Sequence, residues 1–487
     1  MGSEIKNLKP NALWESFYEI TQIPHPSKYE DKIRQYFVDF GQKLGLETIV
    51  DSIGNVVIRK PATPGMENRK GVIFQGHMDM VPQKNSDKTH NFETDPIETI
   101  IGDDGWLRAN GTTLGADNGI GVAAGMAVLM ANDLVHGPVE LLITTEEETG
   151  MVGAFGIDST ILKGDILLNL DSEDYGELYV GCAGGLDGNI SMDYSSEPTP
   201  ANVDAYKISV TGLKGGHSGM DIVLGRGNAN KIMVRLLTEI QNKIDIRLAH
   251  IEGGSLRNAI PREAFATIVA PKGNSETLKQ EIFGLFDIIS SELSATEPDM
   301  KFTVEPAEMP ANVIEAKAAS RFIKAIYACP NGVVRMSDAM PGLVETSNNL
   351  AIMKSENGSF SAKCLMRSSV DSAKEDLANM MKSVFDLAEA NIEFSGGYPG
   401  WKPNPASPIL KTMIEVYENM FGEKPEIKAI HAGLECGILG SQYPHWDMIS
   451  FGPTIRFPHS PDEKVNIESV EKFWNYLVET LKNIPTK

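Results

Sequence analysis

The chain has 487 residues and an ordinary globular composition, with 41% hydrophobic and 23% charged residues. At roughly 100–200 residues per domain, this length predicts more than one domain. The net charge of −22 would repel the phosphates of nucleic acid, so we do not expect a nucleic-acid-binding protein. One interpretation of this acidity is that it serves solubility alone. The other is that some of the acidic groups surround metal cations.

The cysteines and the apolar segments indicate a cellular compartment. Four cysteines in a chain of this length are too few for a disulfide scaffold, and none form a C-x-x-C pair for zinc. The first ten residues lack an apolar signal segment, and no run approaches the ~18 apolar residues of a membrane span. We therefore expect no membrane insertion and predict a soluble, cytoplasmic protein.

The first predicted elements are a helix and a hairpin. Apolar residues at positions 33–44 follow helical spacing and form one face of an amphipathic helix. Residues 46–60 predict a hairpin with its turn near Gly54–Asn55. After Asp117, the small apolar stretch 118–133 is typical of a helix packed tightly on a sheet.

Three short apolar runs, each followed by polar residues, predict one site. GVIF precedes His77 and Asp79, VELLITT precedes residues 146–148, which are all glutamate, and DILLNL precedes Asp171. Such runs are typical of strands buried on both faces of an α/β sheet. Because sites in open α/β sheets form at the carboxyl edge of the strands, we expect these polar residues to meet there.

The character of the sequence changes at about residue 187. Residues 191–204 are polar and proline-rich, like a boundary. Two later blocks each read as strand, helix and strand, which indicates a weak internal repeat. We predict an α/β domain in two parts, 1–186 and 401–487, with a second domain inserted at 187–400.

His77 and Asp117 in the first half are each either part of a metal site or residues with a structural role. His77 and Asp79 point the same way in an extended segment, so Asp79 could orient the His77 ring toward a metal. The alternative is a hydrogen-bonded loop histidine. Asp117 is either an ordinary helix N-cap or a carboxylate that bridges two cations.

The remaining candidates are acidic residues and a histidine on a loop. Three adjacent glutamates, 146–148, either splay into water or surround cations, with one binding metal and a neighbour acting as base. Asp171 and His459 are either ligands or polar loop residues. A nitrogen and oxygen donor set without thiolate suits zinc, cobalt or manganese.

The motifs together resemble those of a known enzyme family. In order they are GHMDMV, TLGADNGIG, TTEEETGMVGA, NLDSED, GLKGGHSG, HAGLECG and PHSPDE. Along nearly the whole chain this resembles the aminoacyl-histidine dipeptidases, also called Xaa-His or cytosolic nonspecific dipeptidases, of the two-zinc superfamily that includes carnosinase and aminoacylase. The resemblance implies a two-metal peptidase domain with a mixed sheet flanked by helices, and an inserted α+β lid domain with two similar subdomains.

The resemblance also implies a ligand set for two divalent metal ions, with zinc expected and cobalt or manganese as alternatives. Asp117 would bridge both metals. His77 and Asp171 would complete one site, and Glu148 and His459 the other.

Further roles follow from the same resemblance. Asp79 would orient His77, and Glu147 would be the general base and acid. The family pattern is usually D-E-E-x-G, and Glu146 stands in place of the aspartate. Gly150 fixes the register in which Glu147 and Glu148 match the two glutamates.

The inserted lid would supply the residues that bind substrate. His217 would stabilise the oxyanion, although the sequence alone favours a turn histidine between glycines. Asn258 and Arg367 match substrate-binding positions, and an arginine fork can grip a carboxylate. The alternative for Arg367 is a surface charge. Gly433 would let the backbone approach the substrate closely.

The expected reaction is hydrolysis of unblocked dipeptides, Xaa-His and others, by a bridging hydroxide with Glu147 as base. One alternative is an N-acyl amino-acid deacylase on the same metal centre, and another is a non-catalytic peptide binder. The expected partner is a small dipeptide. A homodimer through the lid is also expected, unless the duplicated lid replaces the partner within one chain.

Overall fold

A computed structural model describes residues 2–487. The amphipathic helix predicted at 33–44 is present, and so is the small apolar helix that follows Asp117. Two short 3-10 helices are Ser3–Asn7 and Ile222–Leu224. The α-helices are α1 (Asn11–Thr21), α2 (Asp31–Lys43), α3 (Ala116–Met130), α4 (Val152–Gly156), α5 (Ala229–Gln241), α6 (Ser275–Glu292), α7 (Ala316–Ala328), α8 (Asp371–Leu387), α9 (Pro408–Phe421), α10 (Glu435–Gln442) and α11 (Ile467–Lys482).

The strands include the predicted hairpin and the three predicted buried runs. They are β1 (Glu47–Val50), β2 (Val56–Lys60), β3 (Val72–His77), β4 (Thr99–Ile101), β5 (Trp106–Ala109), β6 (Val139–Thr144), β7 (Ile166–Asn169), β8 (Glu177–Cys182), β9 (Gly184–Asp193), β10 (Ser196–Pro198), β11 (Val203–Thr211), β12 (Gly216–His217), β13 (Arg247–Gly253), β14 (Ala259–Ile260), β15 (Ala264–Pro271), β16 (Lys301–Pro306), β17 (Asn312–Ile314), β18 (Gly332–Met336), β19 (Val344–Glu356), β20 (Ser359–Ser368), β21 (Asn391–Tyr398), β22 (Glu426–Ile430), β23 (Asp447–Ser450), β24 (Ile455–Arg456) and β25 (Lys464–Asn466).

The chain forms two compact units. The first unit comprises the chain up to Gly181 together with Pro403–Ala429 and Leu434–Lys487. The second comprises Cys182–Lys402 and the short segment Ile430–Gly433. The chain therefore returns briefly to the second unit inside the final segment that the sequence predicts for the first.

A mixed eight-stranded sheet forms the centre of the first unit. Its strand order is β1-β2-β6-β3-β7-β23-β8-β22. Strands β6, β3, β7 and β23 are parallel, whereas β1, β2 and β8 run antiparallel to their neighbours. Strands β3, β6 and β7 are buried along their whole length, which explains their continuous apolar runs.

Helix α3 packs closely on this sheet because its residues are small. A Cβ atom on Gly125 would lie 2.5 Å from Cδ1 of Leu141 on β6. On β3, a Cβ atom on Gly76 would lie 2.1 Å from Oδ1 of Asn118. Gly76 therefore allows the start of α3 to lie against the carboxyl end of β3, and Gly125 allows a later turn of the helix to lie close to β6.

The second unit is built on an antiparallel sheet. The strand order is β16-β11-β15-β13-β19-β20-β9-β21, and β18 pairs with β19. Helices α5 to α8 bury apolar side chains with those of the sheet in one core. Both predicted strand–helix–strand blocks are present and share this single sheet. Within residues 2–487, we find no helix of the length and apolarity that crossing a bilayer requires.

Candidate active site

The first candidate residues lie where β3 ends. The Nδ1 atom of His77 donates to the backbone carbonyl of Asp79 at 2.9 Å, and an oxygen of the Asp79 carboxylate lies 3.4 Å from the same nitrogen. Nδ1 therefore carries a proton, and Nε2 is the ring nitrogen that could bind a cation in place of its own proton. The Nε2 atom lies 3.1 Å from Oδ1 of Asp117 and 3.5 Å from Oδ1 of Asp171.

The second group of candidates shares Asp117. Strands β24 and β25 form a hairpin whose loop carries His459. The Nε2 atom of His459 lies 3.2 Å from Oδ2 of Asp117 and 3.0 Å from Oε2 of Glu148. Both oxygens of Asp117 therefore face histidine nitrogens, and Asp117 is not the N-cap of α3, because that position is occupied by Gly115.

These side chains fit two divalent cations. The ligand atoms of His77, Asp117 and Asp171 lie within 4.8 Å of one another, and so do those of Asp117, Glu148 and His459. Oδ1 of Asp171 and Oε1 of Glu148 are buried and have no hydrogen-bond partner. Such orphaned oxygens are costly unless a cation satisfies them. The all nitrogen and oxygen donor set suits zinc, cobalt or manganese.

Mutual contacts and burial shift the pKa values of the histidines and carboxylates in this cluster. Contacts with Asp117 and Glu148 raise the pKa of His459 to about 11. Burial alone would lower the pKa of His77, but the carboxylates of Asp171, Asp117 and Asp79 outweigh it and raise that pKa well above its usual range. Burial raises the pKa of Asp171 to about 7. A cation bound among these carboxylates would favour their charged forms.

Glu147 lies beside the ligand groups, and a second carboxylate holds its backbone. One of its carboxylate oxygens lies within 4.8 Å of ligand atoms of His77 and Glu148. The backbone N–H groups of Glu147 and Glu148 donate to the Asp79 carboxylate at 2.9 and 3.2 Å. Burial, with neighbouring carboxylates, raises the pKa of Glu147 well above its usual range. A poised carboxylate at this position can accept a proton.

Glu146 has a different environment from its two neighbours. Its carboxylate accepts from the Thr149 hydroxyl at 3.4 Å, and it belongs to none of the ligand groups found among residues 2–487. This arrangement agrees with the register that Gly150 sets in the sequence.

Sequence reasoning missed Glu463, which holds the backbone around Asp117. Its buried carboxylate accepts the N–H groups of Leu114 at 2.7 Å, Gly115 at 3.1 Å, Ala116 at 2.8 Å and Asp117 at 3.3 Å. The PHSPDE motif contains Glu463, but the sequence does not show that this carboxylate is buried or which groups it accepts. Glu463 follows the His459 loop and therefore ties that loop to the start of α3.

A second missed carboxylate, Glu435, is buried in the first unit. It accepts from Gln75 at 2.5 Å and from the Thr144 hydroxyl at 2.9 Å. Burial raises its pKa to about 7. The HAGLECG motif contains this residue, but a glutamate inside a helix gives no signal of burial.

In the second unit, His217 has a defined tautomer. Its Nδ1 atom accepts the backbone N–H groups of Gly219 at 3.2 Å and Met220 at 3.1 Å. Burial and the charge of Arg367 lower the pKa of His217. The neutral ring therefore carries its proton on Nε2, which is free to donate. A donor of this kind can stabilise an oxyanion.

Arg367 lies next to a tyrosine that the sequence did not predict. Its Nη1 donates to the Tyr398 hydroxyl at 3.1 Å, and its Nε donates to the Ser218 hydroxyl at 3.4 Å. The residue is 5% exposed, so the surface-charge reading of Arg367 is wrong. A Cβ atom on Gly433 would lie 3.0 Å from the Tyr398 ring, so glycine there allows the ring to pack against the backbone.

Asn258 is adjacent to the His217 loop through its backbone. Its carbonyl accepts the N–H of Ser218 at 2.8 Å, and β12 pairs with β14 so that His217 lies opposite Ala259. The Asn258 side chain is exposed. The structure thus brings His217, Asn258, Arg367 and Gly433 into one group of neighbouring loops and strands in the second unit.

Comparison with known proteins identifies the family. Residues 73–483 match the description "Peptidase family M20/M25/M40". The chain belongs to this family. It is 46% identical over 485 residues to the cytosol non-specific dipeptidase of Escherichia coli K12, and the alignment covers 100% of both chains.

Solved structures agree with this assignment. The aminoacylhistidine dipeptidase of Vibrio alginolyticus is 50% identical and has a TM-score of 0.96, with 100% of this chain and 99% of that chain covered. The aminopeptidase PepT of Bacillus cereus shares the fold at 16% identity, with a TM-score of 0.57 and coverage of 98% and 99%. The family resemblance and the fold class predicted from the sequence are confirmed, and this M20-family chain is a hydrolase of the peptidase class.

Proposed function

We propose that the chain is a metal-dependent dipeptidase that hydrolyses unblocked dipeptides, Xaa-His among them. The observation that carries the proposal is a pair of overlapping ligand groups that share Asp117, with the Glu147 carboxylate beside them. The close relatives named as dipeptidases support the same substrate class. We further propose that the first unit is the catalytic domain and the second unit the lid.

Five residues would hold the two cations. His77 and Asp171 belong to one site, Glu148 and His459 to the other, and Asp117 to both. When bound, the metals would supply Lewis acidity, which lowers the pKa of water and polarises a carbonyl group. Zinc fits the donor set, and cobalt and manganese fit it as well.

Glu147 is the proton carrier in this proposal. Its carboxylate takes a proton from the attacking water and returns that proton to the leaving amine. Asp79 holds the Glu147 backbone and so fixes where the carboxylate can reach. Such positioning lowers the entropic part of the barrier.

The second unit would bind the carbonyl oxygen of the scissile bond and the α-carboxylate of the substrate. Nε2 of His217 donates to the developing oxyanion. Arg367 has a fixed guanidinium, and its remaining N–H groups can grip the α-carboxylate of a dipeptide. Asn258 and Gly433 complete the binding surface. A grip on the α-carboxylate favours substrates with a free carboxyl terminus.

An N-acyl amino-acid deacylase remains the second candidate function. The same metal centre would serve it, and only the recognition of the substrate amine would differ. A peptide binder without catalysis is disfavoured, because every predicted ligand and the base are present.

Location and assembly are further parts of the proposal. We infer a cytoplasmic enzyme, in keeping with the name of its Escherichia coli relative. For the assembly, the two alternatives are a homodimer formed through the second unit and a single chain in which the duplicated lid replaces the partner. Sedimentation velocity on the full chain distinguishes them. A single species with the mass of one chain at micromolar concentration would contradict the dimer.

The deciding experiment measures amine release from a panel of Ala-His, β-Ala-His and N-acetyl amino acids. Chelator-stripped enzyme is assayed with zinc, cobalt or manganese added back. Glu147→Ala tests the base, and Glu146→Ala is the matched control because Glu146 lies in the same loop outside the ligand groups.

The outcomes separate the candidates. We expect metal-restored cleavage of free dipeptides that is lost in Glu147→Ala and kept in Glu146→Ala. Removal of a general base costs about 10²–10⁴-fold in kcat. Cleavage of the acetylated substrates alone would assign a deacylase. No cleavage by enzyme that retains two metals per chain would refute both hydrolase functions.

A further inference from the structure

A segment before the family match contacts the candidate active site. Residues 23–30 precede the matched region, which begins at residue 73. The backbone N–H of Met80 donates to the carbonyl of His25 at 3.2 Å, and the N–H of Ser27 donates to the carbonyl of Met80 at 3.2 Å. These bonds hold the segment beside the residues that follow β3.

Ser27 is hydrogen-bonded to the carboxylate that holds the Glu147 loop. Its hydroxyl donates to Oδ2 of Asp79 at 2.8 Å. The Asp79 side chain is 0% exposed and also accepts the backbone N–H groups of Glu147 and Glu148. A buried carboxylate with several donors is fixed in orientation, because rotation would break charge-assisted bonds.

Glu30 contacts the same loop from a second point. Its carboxylate accepts the backbone N–H of Glu146 at 3.3 Å, and the residue is 3% exposed. Glu146 has a positive φ of 49°, a conformation that non-glycine residues adopt when surrounding contacts hold them. The segment therefore holds the loop at two points. Glu30 binds the N–H of Glu146 directly, and Ser27 acts on Glu147 through the Asp79 carboxylate.

We propose that residues 23–30 form a positioning element for Glu147, and that Ser27 is its principal positioning residue. The proposal rests on the role of Glu147 proposed above. Ser27 touches none of the five candidate metal ligands directly, but it shares Oδ2 of Asp79 with the backbone N–H of Glu148, whereas Glu147 donates to Oδ1 of the same carboxylate. The metal content of each variant therefore separates an effect on the ligand Glu148 from an effect on the base Glu147. Catalysis is sensitive to such displacement, since a shift of about 1 Å can cost ~10²-fold.

Three variants of the full chain test this positioning role. Ser27→Ala removes the hydroxyl. Ser27→Thr keeps the hydroxyl and adds a methyl group, which we expect the site to tolerate because Ser27 is only partly buried. Ser407→Ala is the matched control, since the Ser407 hydroxyl also donates to a carboxylate, that of Asp447 at 2.5 Å, at the start of α9.

The first readout is steady-state kinetics on Ala-His at saturating metal, with metal content measured. We expect Ser27→Ala to lose about 10-fold in kcat with KM within about twofold, and Ser27→Thr to stay within about threefold of the wild type. Ser407→Ala should lower the unfolding temperature and leave kcat unchanged. Wild-type kcat in Ser27→Ala, or a loss that Ser27→Thr shares, would overturn the proposal.

The second readout does not depend on activity. Hydrogen exchange of the peptide that contains residues 146–149 should be faster in Ser27→Ala than in the wild type and unchanged in Ser27→Thr. Equal exchange in all three proteins would overturn the proposal. If exchange is faster in Ser27→Ala but the wild-type protein cleaves no substrate, the positioning contact is supported and the proposed dipeptidase function is rejected.

Discussion

The backbone N–H of Glu147 donates to Oδ1 of Asp79 at 2.9 Å. The carboxylate that the sequence assigns to the His77 ring therefore also holds the loop of the proposed base. The ring nitrogen of His77 donates to the Asp79 carbonyl at 2.9 Å, whereas the carboxylate lies at 3.4 Å. Asp79 thus contacts His77, the proposed metal ligand, through its carbonyl and more distantly through its carboxylate, and it contacts the loop of the proposed base through its carboxylate.

Asp79→Asn should lower kcat by about 10–100-fold with both metals retained. The amide keeps the size of the side chain but replaces one acceptor oxygen with a donor that faces a backbone N–H. The control is Asp447→Asn, because Asp447 also accepts a serine hydroxyl and a backbone N–H, that of Ile409 at 2.9 Å. The two are compared by kcat and metal content, and equal kcat in Asp79→Asn and wild type would contradict the role.

Glu463→Gln should weaken metal binding by about 10–100-fold, with the greater effect at the site that contains His459. Its carboxylate accepts four consecutive N–H groups up to Asp117, and an amide cannot replace both oxygens. Metal content at limiting free zinc should fall from about two to about one per chain.

The matched control for that prediction is Glu140→Gln. The Glu140 carboxylate is also buried and accepts the N–H groups of Lys163 and Gly164, both at 2.8 Å. It belongs to none of the ligand groups found among residues 2–487, so the variant should lose stability and keep both metals. Equal metal loss in the two variants would indicate a general effect of buried carboxylate removal.

Arg367→Lys should raise KM for free dipeptides by about 10-fold or more, with a smaller change in kcat. Lysine cannot reproduce the planar fork that contacts Tyr398 and Ser218 and leaves further N–H groups for a carboxylate. A hydrogen bond to a charged group contributes about 1.5–3 kcal/mol. Dipeptide amides, which lack the carboxylate, should show little change. Arg335→Lys, at a residue of the second unit whose side chain is 56% exposed, is the control.

His431 should contribute to acid sensitivity. Burial, together with the charge of Arg367, lowers the pKa of His431 to about 3 from 6.5. The unfolded chain binds this proton below pH 6.5 and the folded chain does not, so stability is present above pH 6.5 and is lost as the pH falls toward 3. The slope from this residue is about 1.4 kcal/mol per pH unit at most.

The free energy of unfolding at pH 7, 6 and 5 measures this effect. We expect His431→Gln to be less sensitive to acid than the wild type over this range, and exposed His445→Gln to behave as the wild type does. Identical slopes for all three proteins would show that His431 is not the group responsible.

Local patterns in the sequence were sufficient to predict the three central strands that precede the candidate site and the polar residues that follow each of them. The apolar runs before His77, Glu147 and Asp171 predict strands buried on both faces, and the structure contains them as β3, β6 and β7. A buried central strand gives a run of consecutive apolar residues in the sequence, because both of its faces must be apolar. Because sites in such sheets form at the carboxyl ends of the strands, the sequence also predicts that these polar residues meet there.

The contacts that hold the site depend on tertiary structure. Glu463 and Asp117 are separated by 346 positions, and Tyr398 has no sequence signal that links it to Arg367. The N-terminal Ser27 is likewise joined to Asp79 only by the folded chain. A carboxylate or hydroxyl gives the same local pattern in a solvated loop as in a buried network. Periodicity records which face of an element is buried, whereas the partner of a buried polar group is decided by how distant elements pack.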